Sequence, residues 1–352
     1  MLSFTDFFIT EEVLNEATKE PKASSDTKGR LHEILTGYHL LNGKHMTKHP
    51  DVDGDSPKQA HDKLKEQILS KENGKQIYKK IYDRAKATAE DLKKHLSDNG
   101  HEIHDVHWTS KPGDIKRSTG IESSQKQDAS DIMIHGKDRS DKIGKKITHY
   151  GVSLKVSDSS SHNIPVSNPG IESSYGGEKI LEKHRNEILA KYPKLKGIGA
   201  DKRKELMASN KSMDSFVRQK NKQTLNAFGS HIHKILTNMH PKDLVNHIKT
   251  HVLQTHETPL QKAGHFHIRH TTYEKGGEFH HHAVIPSHYY HKIFHPNNHQ
   301  HITVEQGSTK AGEPGSTLNF KFKGKTFASQ RMKFNSQSDP LSSIKGSGTP
   351  VG

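Results

Sequence analysis

The chain contains no cysteine, so neither a disulfide nor a thiolate metal site can form. Aromatic residues make up only 6%, with a single tryptophan, and apolar residues 29%. Together with a mean hydropathy of −0.91, this is thin material for one large core and predicts small domains joined by polar connections. No apolar run approaches about 20 residues, the length a membrane-spanning helix needs. Residues 1–17 carry acids and no cleavable apolar stretch, so the expectation is a protein that is neither secreted nor membrane-bound.

Positive charge is what the chain has in excess. Lysine and arginine number 54 against 40 acids, a formal net charge of +14 before any of the 30 histidines is protonated. Such a balance points to a polyanionic partner, most simply DNA or another nucleic acid. A basic protein with no specific partner has the same composition.

Along the chain, residues 3–17 and 31–41 have helical apolar spacing. Asp51, Asp53, Asp55 and Asp62 imitate the spacing of a calcium-binding EF-hand loop, but Ser56 stands where that loop needs glycine. A helix start fits better, with Asp55 or Ser56 as the cap and Pro57 in the first turn. Ile77, Ile81, Ala85, Leu92 and Leu96 mark a long helix over 76–96, stopped at Asn99-Gly100. Residues 102–110 follow as a strand, and 111–127 as a loop. The pentapeptide GIESS occurs at 120–124 and again at 170–174, in Gly/Ser-rich loops.

Two β-prone runs stand at the centre, SDIMI (130–134) and YGVSLKVS (150–157), separated by a Gly- and Lys-rich spacer. In the second run the alternation puts Val152, Leu154 and Val156 on one face and Ser153 and Lys155 on the other. If the runs pair, Asp131, Ser153 and Lys155 meet at one end of a small sheet. Helices are expected over 178–192, 201–208, 212–228 and 230–253, the last interrupted at Pro241. Lys202, Arg203, Lys204 and Arg218 make this region basic, either as a solvated face or as an arm that grips phosphates. From 264 the pattern alternates, as in HFHIRHTTY, EFHHHAVI and TLNFKFKG, which predicts a β-rich module. Lys321 and Lys323 share one strand face there, opposite Phe320 and Phe322. Eleven histidines crowd between His265 and His301, as exposed weakly basic groups or, where His280 and His282 converge, as metal ligands. The tail over 336–352 is Ser/Gly-rich and reads as loose.

The order helix, strand, Asp131 strand, Ser153-x-Lys155 strand, helix resembles the PD-(D/E)XK nuclease superfamily, in its Ser-x-Lys variant. The SFTDFFITEE opening (3–12) is similar to that of proteins from large tailed bacteriophages. Two positions depart from the family pattern: Ser130 replaces the proline, and Ser153 replaces the second acid. The resemblance implies an α+β protein with a restriction-endonuclease-like mixed sheet core over 75–195 and flanking helices. Around it would lie a helical region over 1–74, a basic helical region over 196–263 and the His-rich β module over 264–352. It implies Mg²⁺-dependent hydrolysis of DNA phosphodiesters in a host cytoplasm or a virus particle, with a second copy or particle components as further partners. In that reading Asp131 and Glu172 hold the metal, with Glu178 and Glu122 as alternative acids. Lys155 orients the attacking water, and Ser153 supports it from behind. The nucleic acid would lie along Lys202, Arg203, Lys204, Arg218, Lys321 and Lys323. The other reading is a nucleic-acid-binding or virion structural protein with a degenerate core of the same kind.

Overall fold

In a computed structural model the described residues are 25–47, 54–123, 127–139, 147–158, 160–166, 170–171, 175–309, 311–336 and 338–351. The chain divides into two compact units. One comprises residues up to Ser118 together with Ile132–Ile147; the other comprises Thr119–Asp131 and Thr148–Gly352. The architecture is mixed α+β, with helices through the first and central parts and an antiparallel sheet at the C-terminal end. No helix among the described residues is long and apolar enough to cross a membrane.

The first unit is built from α1 (Ser25–Leu40), α2 (Pro57–Leu69) and α3 (Gly74–Asp98), followed by strand β1 (His101–Trp108), the short helix α4 (Asp114–Thr119) and strand β2 (Ile132–Asp138). Along α3 the buried residues Ile81, Ala85, Ala89, Leu92 and Leu96 fall three or four apart, one stripe of a helix. They pack with Leu31, Ile34 and Leu35 in the core of this unit. The start of α2 is fixed by a capping box: Ser56 Oγ accepts from the Gln59 amide at 3.2 Å, and Gln59 Oε1 accepts from the Ser56 amide at 2.9 Å. Pro57 follows at the first helical position. Asp55 is engaged by Lys63 at 2.8 Å, so these acids serve a helix start; Asp51 and Asp53 lie outside the described residues, as does the expected helix over 3–17. Strands β1 and β2 pair antiparallel from His101–Asp138 to Trp108–Ile132. The Trp108 indole donates to Glu33 at 3.0 Å.

The second unit contains β3 (Ile147–Ser157), α5 (Glu178–Lys191), α6 (Ala200–Ala208), α7 (Lys211–Thr237), α8 (Pro241–His247), a π-helical turn (Ile248–Val252), α9 (Pro259–Lys262), β4 (Phe266–Lys275), β5 (Glu278–Val284), α10 (Pro286–Tyr289) and β6 to β9. Strand β4 runs parallel to β3 over eight residue pairs and antiparallel to β5. The run from 266, expected to open a separate β module, thus joins the strand that carries Ser153 and Lys155. Strands β6 (Ile302–Ser308), β7 (Pro314–Phe322), β8 (Lys325–Phe334) and β9 (Ile344–Pro350) form an antiparallel sheet in sequence order. The larger core of this unit runs from Val166 and Leu181 through Phe228, Ile232 and Ile248 to Leu318, Phe320 and Ile344, and a smaller one joins Ile188, Leu195, Met207, Met213 and Val217.

Two details differ from the sequence reading. Helix α7 does not break at 229 but continues to Thr237, because Gly229 is where β7 comes closest. A Cβ there would lie 2.8 Å from the Gly315 carbonyl oxygen, so the glycine serves close packing rather than a break. The Ser/Gly-rich tail is not loose: β9 pairs with β8 from Phe334–Ile344 to Ala328–Pro350. Its glycines admit neighbouring groups, as at Gly346, where the Gln330 side chain sits.

Candidate functional site

Asp131 ends the segment of the second unit that precedes β2. Its amide donates to the Val152 carbonyl at 2.8 Å. Its carboxylate Oδ2 accepts from the Leu154 amide at 2.7 Å and lies 3.5 Å from Lys155 Nζ. The two side chains are 25% and 27% exposed, so the pair is fixed to the β3 backbone on one side and open to solvent on the other. Ser153, one residue before Leu154, is buried. Asp131, Ser153 and Lys155 are therefore gathered at one stretch of β3. Glu172 lies outside the described residues; Glu122 and Glu178 are exposed, Glu178 in the first turn of α5. Among the described residues, no group of three acids or histidines that includes Asp131 converges closely enough to hold a metal ion.

Behind Asp131 lies a buried polar cluster that the sequence reading did not assign. The Asp128 carboxylate accepts from Ser130 Oγ and lies 3.1 Å from His267 Nδ1. Burial works to raise the Asp128 carboxyl, but hydrogen bonds from His267, Ser130 and Thr258 outweigh it and hold it below the ordinary carboxylate value. Ser130 is thus a structural donor. Gly151 makes room for it, since a Cβ at that position would lie 2.2 Å from Ser130 Oγ. Although a serine, a histidine and an aspartate meet here, both polar contacts of His267 use Nδ1. A nucleophilic triad needs the serine on the other ring nitrogen, so the cluster anchors Asp131's segment to β4.

The register across β3, β4 and β5 defines one face. Ser153 is beside Arg269 and Val284, Lys155 beside Thr271 and His282, and Ser157 beside Tyr273 and His280. Arg269 is 5% exposed. Its Nη2 donates to the Leu253 carbonyl and, at 3.4 Å, to the Gln254 carbonyl. Burial lowers its pKa to about 10, so it remains cationic at neutral pH. The only sequence signal for it is an arginine in the middle of the alternating HFHIRH run, at a position whose neighbours two residues away, His267 and Thr271, are also buried. On the opposite face, His270 and His281 lie with ring centroids 5.4 Å apart. The adjacent histidines 280–282 thus split between faces as strand alternation requires.

The basic residues assigned to nucleic-acid contact fare differently from one another. Arg203 is held by Asp339 through two bonds of 2.7 and 2.9 Å and also donates to the Ile198 carbonyl at 2.5 Å. Lys204 pairs with Asp201 at 2.8 Å, Arg218 with Asp214 at 2.7 Å, and Lys321 with Glu305. Lys323 is exposed, 5.4 Å over the Phe322 ring. Lys202 is exposed and has no acidic partner among the described residues. No protein-family model, curated protein or solved structure matches the chain.

Proposed function

We propose that the protein is a Mg²⁺-dependent endonuclease hydrolysing DNA phosphodiester bonds at the Asp131–Lys155 end of β3, within a core of restriction-endonuclease type. The observation that carries this reading is the approach of one carboxylate and one ammonium to 3.5 Å, both partly open to solvent and fixed to the same strand. An ordinary exposed ion pair would have no need of the backbone anchor at Leu154 or the buried cluster behind it.

Among the described residues Asp131 offers one carboxylate, the minimum for a hard, oxygen-seeking cation that completes its shell with substrate phosphate and water. Asp131 would hold it. The ion would supply charge neutralisation at the scissile phosphate and a more acidic water. Lys155, beside the same carboxylate, orients that water and offsets negative charge as the bond breaks. The Leu154 amide keeps one carboxylate oxygen aimed at β3, and Ser153, which is buried, stands where the pattern the sequence resembles has a second acid.

That same substitution favours a second reading, a nucleic-acid-binding protein or virion component that no longer cleaves. Nicking of supercoiled plasmid in Mg²⁺, by wild type and not by Lys155→Ala, supports the enzyme. Retarded but uncut DNA with wild type, with either metal or chelator, assigns the second reading instead.

A further inference from the structure

Beside the Asp131–Lys155 end, on the same face of the second unit's sheet, a cleft is lined by Arg269, His162, His282, Asn163, Tyr289 and Tyr290. Its volume is about 20 Å³, room for about one water-sized group such as one oxygen of an anion, and far below the several hundred Å³ of a cleft for an organic ligand. Arg269 has no carboxylate partner among the described residues. The phenol nearest its charge, Tyr290, is pushed up to about 12, chiefly by burial, and so stays neutral. Of its guanidinium, only Nη2 meets protein acceptors among the described residues. His162 and His282 lie nearby, their rings tilted by 39° with centroids 4.2 Å apart, adding ring nitrogens and no negative charge.

A buried cation is normally matched by an anion, since removing an isolated charge from water is costly. Four nitrogen-bearing side chains, Arg269, His162, His282 and Asn163, and no acid among the described residues line this small opening. We infer that the cleft is a binding site for a single tetrahedral oxyanion, a phosphate group, gripped by the Nε and Nη1 side of Arg269 with His162 and His282 completing the cradle. Guanidinium presents parallel N–H donors that match phosphate oxygens. The site does not depend on the nuclease reading, because it requires neither Asp131 nor a metal. Its phosphate can come from free phosphate or from a nucleic-acid backbone.

The test uses the full chain with EDTA present, at constant ionic strength set with chloride. Thermal unfolding and isothermal titration follow inorganic phosphate in one arm and the dinucleotide TpT, whose one phosphate is a diester, in the other. Saturable binding with a rise in Tm is expected in at least one arm. Arg269→Gln should weaken it by roughly tenfold or more, as losing a charge-assisted contact does. His282→Gln and His162→Gln should weaken it by smaller factors, and these carry the test if Arg269→Gln fails to fold. Binding of phosphate alone assigns a free-anion site, and binding of TpT assigns a backbone-phosphate site. Absence of saturable binding in both arms overturns the inference, as does binding that survives in the Arg269 and histidine variants.

Discussion

Arg203 and Arg269 both lie in the second unit with little exposure, yet their electrostatic situations are opposite. Arg203, in helix α6, is held in a two-bonded pair with Asp339. Arg269, in strand β4, donates to the Leu253 and Gln254 main-chain carbonyls and to no side chain among the described residues. The contrast extends to their surroundings. Around Arg203, the helices that look most basic in the sequence bring their own counter-charges: Asp201 for Lys204, Asp214 for Arg218, Glu187 for Lys220. Around Arg269 the sheet face carries two acids among the described residues, Asp131 beside Lys155 and Glu278 opposite Lys275, and neither pairs with Arg269. A run of lysines and arginines therefore locates charge but not availability. A cation becomes available for a ligand where the fold withholds an acid.

The largest effect that could break this comparison is catalytic. Lys155→Ala on the sheet face should lower Mg²⁺-dependent plasmid nicking by about 10²–10³-fold, the usual loss when one group that stabilises developing charge is removed. Arg218→Ala on the helical arm should leave the initial rate unchanged, because its charge is already engaged by Asp214. Equal losses in the two variants would erase the distinction between the regions.

Next in size is a stability effect on the opposite side. Asp339→Ala strands Arg203, whose side chain is only 16% exposed, and removes the cap that Asp339 gives to the Leu341 amide. Breaking one partner of such a pair costs about 3 kcal/mol, to be read as a lower urea midpoint with an unchanged slope. Arg269→Met in chloride buffer should cost less, because an uncompensated charge leaves along with the two carbonyl contacts. A larger loss for Arg269→Met would mean that Arg269 is the structural member of the two.

How far the sequence foretold this depends on the range over which each signal acts. The α3 stripe, the Ser56 cap and the alternation of Val152, Ser153, Leu154 and Lys155 are local patterns, and each appears as read. The meeting of Asp131 with Lys155 follows from two such patterns and one pairing. By contrast, Asp128 with His267 and Arg203 with Asp339 join residues more than a hundred positions apart. No window of sequence holds both members. The tail was misread for a related reason: its glycines look like freedom but serve β9's close approach to β8, as Gly229 serves the approach of β7 to α7. The parallel pairing of β4 with β3 was likewise invisible, because a crossover of this length leaves no local trace.

A further contrast lies beneath the basic helices themselves, between their charged exterior and a histidine inside. His184 of α5 is bonded to Thr224 Oγ1 at 2.8 Å and lies 5.1 Å from the Phe334 ring. Burial chiefly lowers its pKa, to about 4, with Arg185 and Lys220 helping and Glu187 opposing. The unfolded chain therefore takes up the proton first, near 6.5. Stability is intact above that value and is withdrawn as pH falls from 6.5 toward 4. At about 1.4 kcal/mol per pH unit, this one group removes roughly 3 kcal/mol across the window. Urea midpoints from pH 8 to pH 4.5 should fall for wild type and fall less steeply for His184→Gln, even though that variant starts lower at pH 8 through its weakened contact with Thr224. Equal slopes would mean that His184 is protonated without strain in the folded state.

The smallest effect concerns the contribution of the helical arm to nucleic-acid binding. Each phosphate neutralised by a free cation releases condensed counterions, so a plot of log affinity against log salt loses about 0.9 from its slope for every such contact on duplex DNA. Lys202 is exposed with no acidic partner among the described residues, so Lys202→Ala should take away close to that full amount if the arm touches DNA. Lys204 and Arg218 already face Asp201 and Asp214. Moving them onto phosphate would free an acid for each cation supplied, and the net charge delivered would be near zero. Lys204→Ala and Arg218→Ala should therefore change the slope by well under one each, and Asp214→Asn should strengthen binding by releasing Arg218. Fluorescence anisotropy of a labelled duplex between 50 and 200 mM chloride reads all four variants. If Lys204→Ala and Arg218→Ala each remove a full contact and Asp214→Asn adds nothing, the paired cations bind phosphate as freely as unpaired ones. Ion pairing would then say nothing about availability on this surface.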